Sequence, residues 1–312
     1  MVTGKSGSAK SRVRSLVEAL GKMRREETRL GWIGVIRLLP RSALSAAIGR
    51  VAAVRIPRKL RPFLWRGFAA AVGADLSEAR DPLETFECLQ AFFTRALRPG
   101  ARPVSPRVDA LVAPCDGAWG ESGKVKLGRL VQVKGRTYSL ADLLDDPDRA
   151  KHFEGGFFAT FYLAPRDYHR FHAPCDARVQ KATHVPGQLW PVNRIGLEGI
   201  PDLFVRNERI CAHMQMGDRL SNESTDLVMV AVGATLVGKI RLTFDELASR
   251  RPGAEKTTHS YPHGIPLRRG EEWGRFEFGS TIVLIVGPGR ASLTEQPPGT
   301  PLRLGEAIGS LF

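Results

Sequence analysis

The hydrophobic pattern of this chain changes period near residue 100. Before that point apolar residues recur at helical spacing. Leu30, Trp32, Ile33, Val35, Ile36, Leu38 and Leu39 are set between Arg29, Arg37 and Arg41; Leu44, Ile48, Val51 and Val54 follow, then Phe63, Leu64, Trp65 and Phe68. Short apolar stripes of this kind predict amphipathic helices. A second helical stretch is predicted between Leu76 and about Ala96, centred on Leu83 to Phe93 and stopped by Arg98-Pro99-Gly100. From Val104 onward the pattern becomes short β-branched runs punctuated by Gly and Pro: Leu111 to Ala113, Leu130 to Val133, Phe157 to Leu163, Leu227 to Val232, Thr235 to Val237 and Ile282 to Val286. The expected fold class is therefore α+β, a helical N-terminal region over residues 1–75 followed by a β-rich, sandwich- or barrel-like body over 76–312.

Three finer features sharpen this expectation. Tyr138 to Leu144 predicts a short helix capped by Ser139. Arg250 to His263 is rich in Gly, Pro, Lys and His and reads as a mobile loop. Ala113-Pro114-Cys115-Asp116 recurs 60 residues later as Ala173-Pro174-Cys175-Asp176, which suggests two similar turns feeding strands of a duplicated β-motif.

Charge changes the picture of the helical region. The 312 residues carry a net charge of +14, yet residues 1 to 66 alone hold 16 Lys/Arg against Glu18, Glu26 and Glu27, a net of +13. The remaining body is nearly neutral. A localised basic segment calls for an anionic partner. Interleaved apolar residues and tryptophans favour an interfacial membrane helix, with a helical cap bearing a solvated basic face as the alternative. No recognition motif or stacking pattern accompanies the charge, so nucleic acid is not expected. The longest uncharged apolar stretches, Leu227 to Gly238 and Ser280 to Gly289, fall short of the roughly 18 residues needed to span a bilayer. The acid-free first 17 residues suit a disordered tail or a transit peptide, and no secretory signal is expected. Cys88, Cys115, Cys175 and Cys211 lack regular spacing, which fits free thiols in a reduced compartment.

Candidate chemistry centres on Gly279-Ser280. Glycine leaves its carbonyl unshielded one residue from a serine hydroxyl, so such a bond can be attacked by its own side chain. Serine needs a base, and that base an orienting carboxylate. His172 and Asp116 fit in type, although spacing alone does not bring them together; an exposed serine, a structural histidine and a turn-forming Asp-Gly explain the same residues. His169 and His172, with Cys115 and Cys175, match no zinc template, so no metal is expected.

These residues belong to a larger set. Asp116-Gly117, Pro165-Arg166-Asp167-Tyr168-His169-Arg170-Phe171-His172 with Pro174, Val185-Pro186-Gly187, Phe204 with Arg206 to Arg209, Val232-Gly233-Ala234, and Gly274-Arg275-Phe276 leading to Gly279-Ser280-Thr281 appear in order. From about Phe92 to Pro288 the chain resembles the phosphatidylserine decarboxylases, and its basic helical start resembles that of bacterial members. Phe278 departs from the leucine of many members but stays apolar.

The resemblance implies a self-processing lyase. Asp116, His172 and Ser280 would form the self-cleavage triad, cutting the chain into 1–279 (beta) and 280–312 (alpha) and turning Ser280 into a covalent pyruvoyl cofactor. That group would bind the substrate amine as a Schiff base while phosphatidylserine loses CO2 to give phosphatidylethanolamine, with His169 as proton donor. The partners implied are an anionic phospholipid membrane, the phosphatidylserine substrate, the heterodimer of the two daughter chains and a homodimer of these. The location implied is peripheral, on the cytoplasmic side of the cell membrane. A serine or zinc hydrolase that does not cut itself, and a basic membrane scaffold, are the rival readings.

Overall fold

The structure is a computed structural model that describes residues 49–217, 226–235, 239–249, 255–277 and 280–312. The first helix of interest, α1 (Arg61–Val72), ends at Gly73, whose positive φ of 77° closes the last turn. Trp65 and Ala69 turn inward and pack with Phe86 and Phe92, forming a small core of stacked and edge-on aromatic rings. Trp65 is thus a core residue rather than the interfacial anchor its surroundings suggested; its Nε1 donates to the Phe86 carbonyl at 3.1 Å. That bond also explains why the helix expected over 83–93 is broken. A 3₁₀ turn at Leu83–Thr85 gives way to extended backbone at Phe86, and helix resumes only as α2 (Leu89–Phe93). The Phe86 and Glu87 carbonyls serve Trp65 and the Ile56 amide instead of a helix ladder.

Beyond residue 100 the chain is built of strands. In chain order they are β1 (Ala110–Val112), β2 (Gly117–Lys124), β3 (Arg129–Val133), β4 (Arg136–Ser139), β5 (Phe157–Leu163), β6 (Arg170–His172), β7 (Ala177–Val185) and β8 (Arg209–Met216). Then follow β9 (Leu227–Val232), β10 (Ile240–Leu242), β11 (Thr257–Leu267), β12 (Glu272–Phe276), β13 (Ser280–Val286), β14 (Ala291–Leu293), β15 (Pro301–Leu302) and β16 (Ala307–Leu311). The helix α3 (Leu140–Leu144) forms where expected, the Ser139 hydroxyl accepting from the Asp142 amide. The expected loop at 250–263 is overturned from Thr257 onward. Thr257 to Ser260 pair with β7, a bulge absorbs the Pro262-His263-Gly264 stretch, and pairing resumes at Ile265. The run expected at 235–237 is described only at Thr235, which lies outside any strand.

An eight-stranded antiparallel sheet, ordered β11-β7-β8-β9-β13-β5-β2-β15, forms the centre. All seven residues of β13 and all six of β9 are buried, so both faces of the sheet are covered there. Along β13 the residues Ile282, Leu284 and Val286 enter one core with Phe157, Ala159 and Phe161 of β5, and with Phe171, Trp273 and Phe276 of β6 and β12. The α+β class with a β-rich body therefore holds.

The four-residue echo marks a real duplication. His172 N donates to the Pro114 carbonyl at 2.7 Å, while Val112 N donates to the Pro174 carbonyl at 2.8 Å. The two turns thus bind each other reciprocally. The duplication extends to a second pair of segments, Pro266-Leu267-Arg268-Arg269-Gly270-Glu271 and Pro301-Leu302-Arg303-Leu304-Gly305-Glu306. Leu267 pairs with Ala177 as Leu302 pairs with Gly117. The Asp176 carboxylate accepts from the Arg269 amide as Asp116 accepts from the Leu304 amide. In matching fashion β12 bridges β6 and β10, and β16 bridges β1 and β14. This internal symmetry is what carries the turn of Asp116 to the strand of His172.

Candidate active site

Ser280 opens β13. It is paired with Leu163, the last residue of β5, and is fully buried. Strand alternation puts its side chain on the same face as Ile282 and Leu284, toward the core shared with β6 and β12. Among the described residues its Oγ has no hydrogen-bond partner. A buried hydroxyl without a partner is costly and calls for a reason. Its neighbour in the expected cleavage site, Gly279, lies outside the described residues, as does Phe278.

On the other side of β5, β2 brings Asp116 to the same end of the sheet. Gly117 makes this approach possible. Its φ is 148°, and a Cβ there would lie 2.2 Å from the Tyr162 carbonyl oxygen. Asp116 itself is buried, and its carboxylate accepts two hydrogen bonds from Arg102 Nε at 2.9 and 3.0 Å, one from Nη2 at 2.6 Å, and one from the Leu304 amide at 2.9 Å. Arg102 is forked between this carboxylate and Glu78, at 2.7 Å and 2.9 Å. Burial works against its charge, but the two carboxylates outweigh burial and hold its pKa above the ordinary value. The same hydrogen bonds pull the Glu78 carboxyl below its usual range.

From Leu163 the chain turns sharply, with Asp167 Oδ2 accepting from the Ala164 amide at 2.7 Å, and delivers Tyr168, His169 and His172. His169 is fully buried with its ring centroid 4.1 Å from that of Phe93. Its Nδ1 lies 2.8 Å from the Asp167 carbonyl. A carbonyl only accepts, so Nδ1 carries the proton and Nε2 keeps its lone pair. Among the described residues that Nε2 is unpartnered. Its backbone carbonyl accepts from the Phe276 amide, four residues before Ser280, which ties this segment to the approach of β13. His172 repeats the arrangement: Nδ1 faces the Gly270 carbonyl at 2.9 Å, and Nε2 accepts from the Tyr168 hydroxyl at 3.3 Å. Burial holds the Tyr168 phenol protonated.

The structure thus brings Asp116 and Ser280 to one end of the central sheet and ties the His169–His172 segment of the neighbouring sheet to it through the Phe276 amide and the Pro114 carbonyl, but it makes no direct hydrogen bond between Asp116 and His172. The carbonyl of Gly270 sets the His172 tautomer, while Asp116 acts on that ring only through space. Burial lowers the pKa of both histidines, that of His169 to about 3. Both are therefore neutral near pH 7. Sequence reasoning missed Arg102, Glu78 and Arg95. With Asp116, Asp167 and Tyr168 they line a cavity of about 220 Å³. The repeated Pro-Leu-Arg-x-Gly-Glu segments are the signal that could have located the contact between Gly270 and His172. The motifs around Asn207 and Arg209, by contrast, stitch loops. Asn207 bonds Trp190 and Gly233, and Arg209 bonds the carbonyls of Asp142 and Leu143.

The buried neutral histidines have a measurable consequence. A histidine that protonates near pH 6.5 when unfolded but near 3 when folded, as His169 and His213 do, stabilises the fold fully above 6.5. That contribution is lost as pH falls from 6.5 toward 3, by about 2 kcal/mol each at pH 5. Urea unfolding at pH 7 and pH 5 should show a drop of a few kcal/mol, and His213→Met should remove its share. Equal stability at both pH values would contradict the burial argument.

A sequence model of the family described as phosphatidylserine decarboxylase matches residues 89–310. The chain is 42% identical over 281 residues to the phosphatidylserine decarboxylase proenzyme of Anaeromyxobacter sp. (strain K), covering 89% of this chain and 97% of that one. It is 37% identical to the Myxococcus xanthus (strain DK1622) proenzyme, over 88% of this chain and 96% of that one. With the Hahella chejuensis (strain KCTC 2396) proenzyme it shares 39%, over 88% and 92%. A match across nearly the full length of both chains places the protein: it belongs to the phosphatidylserine decarboxylase family.

Proposed function

We propose that this chain is a self-processing phosphatidylserine decarboxylase that cuts itself between Gly279 and Ser280 and works with a pyruvoyl group made from Ser280. The observation that carries the reading is Ser280 itself: a serine following glycine, fully buried, with its hydroxyl unpartnered among the described residues. An orphaned buried oxygen fits a group built from that residue better than it fits a structural serine.

In the first reaction His172 is the base. Its Nδ1–H is held by the Gly270 carbonyl, so Nε2 can take the Ser280 proton once Tyr168 swings aside. Asp116 favours the positive charge that then forms on the ring. The Ser280 oxygen bonds to the Gly279 carbonyl carbon, the peptide C–N bond breaks, and the nitrogen receives the proton. β-Elimination frees the Gly279 carboxylate, and hydrolysis releases ammonia from what was Ser280. The pyruvoyl group so placed supplies, when substrate is bound, the sink for the electron pair that CO2 leaves behind. His169 enters this second reaction neutral. The substrate amine arrives as an ammonium and must give up a proton; Nε2 of His169 can accept it and return it to the α-carbon after CO2 has gone. Intact mass tests the reading. The purified protein should lack the 33 residues after Gly279, carried by a separate chain with a blocked N-terminus. A single chain of full mass would exclude it.

The substrate lies in a bilayer, and the chain's surface suits that. Among the described residues no helix is long and apolar enough to cross a membrane. Of the eight large hydrophobic residues left exposed among the described residues, five are Val51, Val54, Leu60, Phe63 and Leu64, the last two on α1. Exposed Arg55, Arg58, Lys59 and Arg66 surround them. We assign this face to peripheral contact with an anionic leaflet on the cytoplasmic side of the cell membrane. Pairing of two processed protomers rests on the family resemblance alone. Inserting Phe63 is worth about 1.5–3 kcal/mol, so Phe63→Ser with Leu64→Ser should cut flotation with anionic liposomes tenfold or more while processing continues. Unchanged flotation would remove the face from the interface. Deleting residues 1–66 is a poorer test, since it strips Trp65 from its core.

A further inference from the structure

Among the described residues, the cavity beside Asp116 holds one cation, Arg95, with no carboxylate at ion-pair distance. Arg95 is only 4% exposed and lines the cavity with Arg102, Arg166, Arg303 and their carboxylates. Its neighbours are matched: Arg102 to Glu78 and Asp116, Arg166 to Asp167 at 3.6 Å, and Arg303 to Glu78 at 3.9 Å. Arg95 has no carboxylate at ion-pair distance among the described residues. Its Nε is buried without a partner there, and its Nη2 makes only a long 3.4 Å bond to the Arg166 carbonyl. The Phe92 ring, 5.5 Å from the guanidinium carbon, supports the charge without neutralising it. An unpaired buried cation is expensive. It is tolerable where a ligand supplies the missing charge, and the planar guanidinium fork suits phosphate oxygens.

We propose that Arg95 is a specificity-determining residue that donates to the phosphodiester of the phospholipid headgroup. The proposal rests on the decarboxylase reading. The substrate carries two anions, and their fates choose between them. The carboxylate departs as neutral CO2, so a guanidinium bound to it would favour the ground state over the transition state and slow the reaction. The phosphodiester keeps its charge throughout. Position agrees: Phe93, two residues before Arg95, packs against the His169 ring at 4.1 Å with the planes tilted by 48°, and the α-carbon lies only a few bonds from the phosphate. Size agrees as well. About 220 Å³ is below the ~300 Å³ at which drug-sized ligands are enclosed, so the cavity takes a headgroup and leaves the acyl chains outside.

The test separates binding from chemistry. In mixed micelles Arg95→Gln should raise KM for phosphatidylserine about 10- to 100-fold, the worth of hydrogen bonds to a charged group, with kcat within about twofold. Arg95→Lys should recover part of the loss, and electrophoresis should show both variants processed. A second arm needs no turnover. Glycerophosphoglycerol, a phosphodiester without amine or carboxylate, should bind the processed wild-type protein by saturation-transfer NMR and lose that binding in Arg95→Gln. A fall in kcat at constant KM, kinetics unchanged from wild type, equal probe binding by both proteins, or an unprocessed variant would each overturn the proposal. Loss of decarboxylation in the wild type would instead overturn the functional reading, and the probe arm would still report on the anion site.

Discussion

Ser280→Ala is expected to remain one chain of 34.3 kDa and to produce no phosphatidylethanolamine above background. Both effects follow from one atom. The Oγ is the attacking nucleophile in processing, and the residue bearing it becomes the electron sink of the later reaction, so nothing else in the chain replaces it. The alternative explanation of a dead variant, misfolding, can be separated in advance. In the structure this hydroxyl is buried and unpartnered among the described residues, so removing it deletes no bond. The cost of holding an unsatisfied polar group, about 1–3 kcal/mol, should instead be relieved. Ser280→Ala should therefore melt at or above the temperature of unprocessed wild type. A single chain with a lowered melting temperature would point to a structural serine, and a processed Ser280→Ala protein would remove Ser280 from the cleavage site.

Much of the frame was legible because the core strands are short continuous apolar, β-branched runs punctuated by glycine and proline. Phe157 to Leu163, Leu227 to Val232 and Ile282 to Val286 became strands of the central sheet. Failures occurred where a distant partner outbid local preference. The stretch Leu83 to Phe93 has helical spacing, but Trp65 and Ile56 claim the carbonyls its middle turn needed. Thr257 to Ser260 sits in a segment of loop composition, yet the edge of β7 gives it partners. The site divided the same way. Ser280, His169, His172 and Asp116 stood out through their chemistry, whereas Arg95 and Arg102 follow a short helix and read as solvated charge. Only their burial beside Asp116 distinguishes them from the other arginines. The duplication was visible in one four-residue echo, and its other half, at Pro266 to Glu271 and Pro301 to Glu306, carries the Gly270 carbonyl that fixes His172.

Replacing the two histidines should split the two reactions. His172→Ala is expected to stay as a single chain, its processing slowed about 10²- to 10⁴-fold, the usual worth of a positioned base. His169→Ala is expected to process and then fail to decarboxylate, by a comparable factor. The rings have the same tautomer and both are neutral, so electrostatics alone does not separate them. Their surroundings do. His172 N bonds the Asp116 turn at Pro114, and its Nε2 is guarded by Tyr168, a donor that must yield before the base can act. His169 has a bare Nε2 and packs on Phe93, two residues from the unpaired Arg95. The first environment suits a base used against the chain itself, and the second one used on a molecule that enters. Asp116→Asn sharpens the assignment. The amide can still accept from Leu304 N but no longer offsets charge on His172, so processing should slow while the melting temperature falls through loss of the Arg102 ion pair. Electrophoresis reads processing without any assay of activity. An unprocessed His169→Ala beside a processed His172→Ala would exchange the two roles.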